Sequence, residues 1–417
     1  MRSIAIVGLS LLLLGAPGYA QMPTPAASPE ADAKHSGAPL GQFTFGPFIV
    51  TPTFRIGTLA VDTNVQYQRE RRADFVASAG PGLDIAVPFL DHWKLDLQGS
   101  SEYFYFQQTK ELRRWTGGGT ASLFWKTTGT RATLSARLNR DFSRPNFEVD
   151  SRIATNQRFG GAEFERDLGR LTLAIDASYS GTRVEPGQQF RGADLATALT
   201  IDRYHGGGEL RYRLTPISSL LFEGAYEESH FPNAAARNFS EENAGLGFLT
   251  EGLFNGRVSA GVRQTQLLNG GARKSRPYFR GNLTQRLGRR IQLTERYTHE
   301  SAVSAFATDG GLPTFERRAL DVELRIDITR RVDMRLGGTR DRTISDGAVQ
   351  VVLDDGSTLR AKRDDLAYVG RADLGIRLGR ARTALFVSYT TRESLFFSDF
   401  GITGLQAGAR VEYAPQR

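Results

Sequence analysis

The sequence predicts an all-β protein: a single transmembrane antiparallel β-barrel of about 18 strands, with roughly 16 or 20 strands as alternatives. Three observations predict this fold. Strand-length segments alternate between apolar and polar residues with a period of two. The connections between these segments are alternately short and long, which is typical of outer-membrane barrels. The chain begins like an exported protein, and no later run of 18 consecutive apolar residues could form a membrane-spanning helix.

The first 20 residues have the features of a signal peptide. Arg2 supplies the positive charge, residues 4–14 form the apolar core, and Ala20 ends a small-residue cleavage site. Residues 21–47 begin with a stretch rich in Pro, Ala and Ser, so they are predicted to be a flexible periplasmic linker. The barrel is then predicted to occupy residues 48–417. The expected location is the outer membrane of a Gram-negative bacterium.

The composition restricts the chemistry. There are 53 basic and 45 acidic residues, no cysteine, and only six lysines, so the positive charge is almost entirely arginine. Arginine favours two-point binding of carboxylate or phosphate, although a GC-rich genome would explain the same content. The absence of cysteine excludes a disulfide framework. Basic and acidic residues are interleaved rather than clustered, which argues against nucleic-acid binding.

The alternation is clearest in residues 93–107. Leu95 falls on one face of the predicted strand and Asp96 on the other, and this order continues along the segment. Successive side chains of a strand point to opposite faces, so one face is expected to meet lipid and the other water. Residues 320–328 and 368–378 repeat the pattern. A helix of the same composition would spread these charges around its whole surface.

The connections predict the topology. Eight short turns are expected at residues 89–92, 127–130, 167–170, 215–219, 252–256, 288–290, 329–331 and 379–382. Longer polar connections are expected at residues 143–151, 185–193, 231–240, 301–316, 345–365 and 394–401. Short periplasmic turns with longer outside loops place both termini in the periplasm when the strand number is even. The alternative counts depend on how residues 153–167 and 196–214 are divided.

The opening of the predicted barrel resembles a known family. Residues 48–67 contain Pro52, then the aromatic Phe54, then the sequence Asp62-Thr63-Asn64-Val65. This segment resembles the first strand of outer-membrane β-barrel porins associated with bacterial exopolysaccharide export. The resemblance implies a role in letting exopolysaccharide, or fragments of it, cross or associate with the outer membrane. Exopolysaccharide or its export apparatus is therefore an expected partner.

The C-terminus resembles the signal that the barrel-assembly machinery reads. Its pattern of a polar residue, a glycine, an apolar residue and an aromatic residue falls on Gln406, Gly408, Val411 and Tyr413. The resemblance implies the assembly machinery as a partner, although a four-residue tail after Tyr413 departs from the pattern. The alternative is an ordinary barrel strand, because short alternating strands recur by chance.

The inward faces are predicted to carry many charges. The candidate pore-lining residues are Arg137, Arg211, Arg213, Arg263, Arg280, Arg286, Arg296, Asp321, Glu323, Arg325, Asp327, Asp333, Arg335, Arg371, Asp373 and Arg377. Such a wall would surround water and favour anionic or sugar-like solutes. The alternative is a ladder of cross-strand ion pairs that neutralise one another. An 18-stranded barrel is too wide for side chains alone to fill, so a hydrated interior is expected.

Catalysis and metal binding are not predicted. His299 and Ser301 fall on one strand face and resemble the His-x-Ser pair of lipid A deacylases, but no acidic partner is assigned to them. A second polar cluster, residues 227–230, is expected at an outer rim. Asp355-Gly356 lies between two apolar runs and predicts a small hairpin within a long outside loop rather than a calcium site. No cofactor is expected.

The predicted function is a porin-like channel for passive passage of polar or anionic solutes, with outer-membrane lipid around it. Three alternatives remain open. A structural or adhesive barrel would have its lumen plugged by loops. A lipid-modifying enzyme would need the pair formed by His299 and Ser301. A soluble periplasmic β-protein would need its apolar faces to pack against each other.

Overall fold

The computed structural model of the protein describes residues 38–39, 42–67, 70–144, 149, 151–190, 192–271, 273–304, 312–352, 356–379, 381–394 and 401–413. The predicted signal peptide and most of the predicted linker lie outside these residues. No helix among the described residues has the length and apolarity that crossing a membrane requires.

Eighteen long strands form one closed antiparallel barrel, as predicted. The first nine are β1 (Phe48–Asp62), β2 (Asp74–Phe89), β3 (Trp93–Phe106), β4 (Arg114–Thr127), β5 (Thr130–Ser143), β6 (Ile153–Leu168), β7 (Leu171–Val184), β8 (Ile201–Thr215) and β9 (Ser218–His230). The other nine are β10 (Phe239–Thr250), β11 (Phe254–Leu267), β12 (Arg273–Leu287), β13 (Ile291–Val303), β14 (Thr314–Asp327), β15 (Val332–Val352), β16 (Thr358–Leu378), β17 (Ala381–Ser394) and β18 (Ile402–Tyr413). Each strand pairs with the next, and β18 pairs with β1.

The connections follow the predicted alternation. All eight predicted short turns join consecutive strands at one end of the barrel, and the longer connections lie at the other end. The segment before β8 differs from the prediction, because Leu195–Leu199 forms a short helix instead of the start of a strand. Asp194 caps this helix by accepting hydrogen bonds from the Ala196 N–H and the Thr197 hydroxyl. A side chain that offers the backbone such a bond favours a helix start over a strand.

The two faces of the wall have opposite character. Outward-pointing Leu134, Leu246 and Leu385 are each more than half exposed. Arg371 of β16 contacts Asp321 of β14 at 3.0 Å, across the intervening β15. Side chains of second-neighbour strands converge on the concave side of a closed wall, so these charges face the lumen. The alternative of a soluble protein with mutually packed apolar faces is wrong, because the apolar faces lie on the outside of the barrel.

The seam that closes the barrel is short. β18 pairs with β1 over five residue pairs, from Thr58–Arg410 to Asp62–Gln406. The first half of β1 pairs instead with two short strands, Ala38–Pro39 and Phe43–Phe45. These strands belong to the segment predicted as a flexible linker, so the end of that segment is structured. They continue the wall where the pairing with β18 stops.

Gly408→Ala is expected to weaken this seam. A Cβ atom at residue 408 would overlap the Leu59 carbonyl oxygen and would lie 2.5 Å from the Ala60 Cβ atom, so β1 and β18 would have to separate. Such overpacking typically costs about 1–3 kcal/mol. The folded barrel should therefore convert to the unfolded form at a lower temperature in SDS gels. Gly404→Ala is the matched control on the same strand, since its nearest atom is 3.5 Å away. Equal behaviour of the two variants would contradict the predicted close approach.

Candidate functional site in the barrel lumen

The predicted lumen residues of β14 to β16 form an ion-pair network. Its centre is Asp333, a fully buried carboxylate. Arg382 of β17 donates to it at 2.6 and 2.9 Å, Arg377 contacts it at 3.0 Å, and Arg335 lies 3.8 Å away. The other predicted members pair as Arg325–Asp327 at 3.4 Å, Arg377–Asp327 at 3.0 Å and Arg371–Asp321 at 3.0 Å. Arg382 and Arg410, which the sequence did not single out, both contact Asp373.

A second network crosses the opposite half of the lumen. Arg211, a predicted residue, contacts Glu165 at 3.3 Å and also pairs with Glu209. Arg257 contacts Glu209 at 2.6 Å and also pairs with Glu223. Tyr278 donates to Glu223 at 2.7 Å. The acidic members were not predicted from the sequence, although Glu209 lies two residues before Arg211 and therefore on the same strand face.

The remaining predicted residues separate into a paired and an unpaired group. Arg263 is buried and contacts Glu241 at 3.0 Å. Within the described part of the chain, Glu323 has no ion-pair partner, and neither do five exposed arginines: Arg137, Arg213, Arg280, Arg286 and Arg296. Two of these arginines lie near aromatic rings instead, Arg137 near Phe159 and Arg280 near Tyr278. The lumen therefore carries positive charge that these described side chains do not neutralise.

The hairpin predicted around Gly356 is confirmed, but it extends the barrel strands. Residues 348–352 of β15 pair with residues 358–362 of β16, and Gly356 has a φ of +79°. Asp354 and Asp355 lie outside the described residues. The ladder is irregular at residues 345–347, which oppose the single residue Arg363. An extra stretch on one strand bends a ladder, so residues 348–352 and 358–362 leave the line of the wall.

The hairpin reaches the far side of the barrel mouth. Val349 is fully buried in a cluster with Val149, Ile153, Val184 and Leu195. These four residues belong to the connections and strand ends around β6 and β7, which are nine strands from β15 and β16 in a ring of 18. Strands so related lie on opposite walls. The part of the hairpin around Val349 therefore spans the mouth at the end of the barrel that carries the longer connections, and it narrows this mouth.

A carboxylate fixes the base of this hairpin. Asp346 lies in the irregular stretch, and its side chain is 4% exposed. Thr314 of β14 donates to it at 2.7 Å, Lys274 of β12 contacts it at 3.2 Å, and Arg276 forms an ion pair with it. These contacts join β12, β14 and β15 on the inner side of the wall. They hold the hairpin in its inward position.

The two polar clusters around histidines lie on the outward face of the rim. His299 contacts Glu316 of β14 at 2.9 Å, so the structure supplies the acidic neighbour that the sequence left unassigned. That carboxylate also pairs with Arg318. No described hydrogen bond joins Ser301 to His299. In the other cluster, Glu228 accepts from Tyr226 and contacts His230 at 3.1 Å. The described residues contain no group of three or more side chains placed to hold a metal ion.

The C-terminal residues that resemble an assembly signal lie in the seam strand. Gln406 is opposite Asp62 and Gly408 is opposite Ala60 on β1. Val411 pairs with Thr383 on the other side, and Tyr413 is the last residue of β18. Their positions are those of an ordinary closing strand, so recognition by the assembly machinery stays a prediction.

Several solved structures are similar to this chain. OpdL of Pseudomonas aeruginosa is 14% identical with a TM-score of 0.48, over 88% of this chain and 99% of that chain. The outer membrane protein OpdK of the same organism is 12% identical with a TM-score of 0.46, over 87% and 98%. The siderophore receptor PirA of Acinetobacter baumannii is 11% identical with a TM-score of 0.46, over 81% and 62%, so the chain spans less than two thirds of that receptor. No protein-family model and no curated protein sequence matches the chain.

Proposed function

We propose that the protein is an outer-membrane channel for polar, preferentially anionic, solutes. The apolar exterior of a closed barrel supports the membrane location, because only a closed sheet satisfies its backbone in lipid. The observation that carries the proposal is a group of five lumen arginines that have no carboxylate partner among the described residues: Arg137, Arg213, Arg280, Arg286 and Arg296. Unneutralised guanidinium groups lining a hydrated path attract anions.

The expected selectivity is mild. Most other lumen charges are paired, so they contribute little net potential. The Debye length is about 8 Å at physiological ionic strength, so salt in a wide lumen screens the remaining field. The narrowed outer mouth is expected to reduce conductance more than selectivity.

Replacing the five unpaired arginines with glutamine should move the reversal potential towards cation preference in a low-salt gradient. Planar-bilayer recordings of the purified barrel measure this directly. Arg183→Gln is the control, because Arg183 points outwards and is held by Asp202 at 2.8 and 2.6 Å. An equal reversal potential in the unaltered barrel, the five-residue glutamine variant and the Arg183→Gln control would show that these five arginines do not line the permeation path.

The finer part of the proposal concerns the solute. The resemblance of residues 48–67 to exopolysaccharide-associated porins and the arginines of the lumen both favour an acidic carbohydrate chain. Oligogalacturonate should then block the channel current at lower concentration than a neutral maltooligosaccharide of equal length, and the five-residue glutamine variant should lose this difference. Equal block by both sugars in the unaltered channel would exclude an acidic-carbohydrate preference.

A plugged structural barrel is the second candidate, favoured by the apolar cluster across the outer mouth. If the hairpin closes the lumen, the intact barrel will carry no current, and shortening residues 348–362 to a tight turn will create one. If the lumen is open, the shortened barrel will conduct only moderately more than the intact one. The same bilayer assay separates these results.

A further inference from the structure

Three arginines lie together on the outward face of the barrel, at the height of an aromatic belt. In the strand register, Tyr297, Leu320, Arg340 and Tyr368 follow one another on β13, β14, β15 and β16. Leu320 and Tyr368 are 42% and 44% exposed, which identifies this face as the outer one. A pocket of about 170 Å³ opens here, lined by Tyr297, Arg318, Leu320, Arg340 and Arg342.

The charges in this pocket are not balanced within the described chain. Arg318 and Arg342 stand directly opposite each other on β14 and β15. Like charges in that position destabilise a sheet. Glu316 pairs with Arg318, and Asp364 accepts from Arg342 at 2.9 and 2.7 Å. Arg340 is exposed and has no ion pair or hydrogen bond to the described residues.

An unpaired cation at this height is available to an anion of the membrane interface. A charge on the lipid-facing side of a barrel is destabilising at the bilayer midplane but tolerated near the interface, which is the level of the aromatic belt and of the lipid headgroups. Arg183, at another position on the outward rim, has its counter-ion inside the chain, because Asp202 accepts from it twice. No described residue supplies a counter-ion for Arg340, so an anion from the surroundings of the barrel is the partner that this site can take.

We propose that this pocket binds the phosphate group of a membrane-lipid headgroup, with Arg340 as the central ligand. The guanidinium group matches the geometry of phosphate oxygens and binds them in two-point fashion. A phosphate between Arg318 and Arg342 would also relieve their mutual repulsion. The tyrosines suit the boundary between headgroups and acyl chains, and Leu320 offers an apolar contact below them. This proposal rests on the membrane location of the barrel, but it does not require that the barrel transports a solute.

Native mass spectrometry of the folded, full-length mature barrel in detergent tests the proposal, with diphosphorylated lipid A as the probe. Arg340→Gln should weaken binding roughly tenfold, the range of one charged hydrogen-bonding group. Arg340→Lys should retain part of the affinity, and Arg183→Gln should retain all of it. Dephosphorylated lipid A should bind the unaltered barrel as weakly as the diphosphorylated form binds Arg340→Gln.

Three results would overturn the proposal. These are unchanged binding by Arg340→Gln, equal binding of the dephosphorylated lipid, and displacement of the lipid by inorganic phosphate, which would indicate a site for the free anion. If Arg340→Gln does not fold, the comparison of the two lipids on the unaltered barrel decides the question. Bilayer recordings of Arg340→Gln should match those of the unaltered channel, so failure of this proposal and failure of the channel proposal are distinguishable.

Discussion

Asp333→Asn is expected to abolish most folding of the barrel. The substitution removes the charge of a fully buried carboxylate while Arg335, Arg377 and Arg382 remain around it. Breaking a buried ion pair by removing one partner typically costs about 3–5 kcal/mol, because the other charge is left uncompensated. Here three cations lose the same partner, while Arg377 keeps its contact with Asp327 and Arg382 keeps its contact with Asp373. The fraction of protein that migrates as the folded form in unheated SDS gels should fall sharply.

Glu323→Gln is the matched control for this experiment. Glu323 lies on the neighbouring strand β14 and on the same inward face, but it has no ion pair among the described residues. The control should fold normally. If Asp333→Asn folds as well as Glu323→Gln, the network around Asp333 does not contribute to assembly and its carboxylate is better solvated than the structure indicates.

Leu324→Arg is expected to impair assembly by about 2–4 kcal/mol, the cost of a lipid-facing arginine near the bilayer midplane. Leu324 stands between Leu293 and Leu336 in the register of the outward face, well below the aromatic belt. Val322→Arg, two residues along, should behave similarly. Folding into lipid vesicles, followed by urea titration, measures the difference.

The adjacent residue supplies the contrast for the arginine substitutions. Glu323→Arg points into the hydrated lumen, so its assembly should be nearly unchanged. Three variants on consecutive residues then report the orientation of the strand. Similar losses in all three would mean that both faces of β14 are buried in protein, and the barrel would need a different arrangement around this strand.

The local pattern of the sequence determined the wall. The alternation in residues 93–107 predicted a strand with Leu95 outward and Asp96 inward, and β3 covers this segment. The short turns predicted at residues 127–130 and 167–170 lie where β4 connects to β5 and where β6 connects to β7. These features depend on the period of two and on turn chemistry, which are properties of a few adjacent residues. Counting them predicted about 18 strands, and the structure decided between this number and the alternatives of 16 and 20.

Only the tertiary structure decided which charges meet. The period of two assigns Arg371 and Asp321 to the lumen, but they are 50 residues apart, and their contact depends on the register of three strands. For the same reason the sequence could not separate Arg377, which is paired, from Arg296, which has no ion pair among the described residues. The alternation assigns a face to each residue. Which residue it contacts depends on the register of each strand relative to its neighbours in the closed wall.

The narrowing of the mouth and the pairing at the seam also depend on contacts that no local pattern contains. Asp355-Gly356 predicted a hairpin, but its position across the lumen depends on the irregular stretch at residues 345–347 and on the apolar cluster around Val349. The strand Phe43–Phe45 lies in a segment whose composition predicted a linker, and it became a strand because the first half of β1 had a free edge. Sequence alone predicted the long strands of the wall, their faces and a number of about 18, with roughly 16 and 20 left open. Register, pairing and the bend of the hairpin required the tertiary structure, since they depend on residues far apart in the chain.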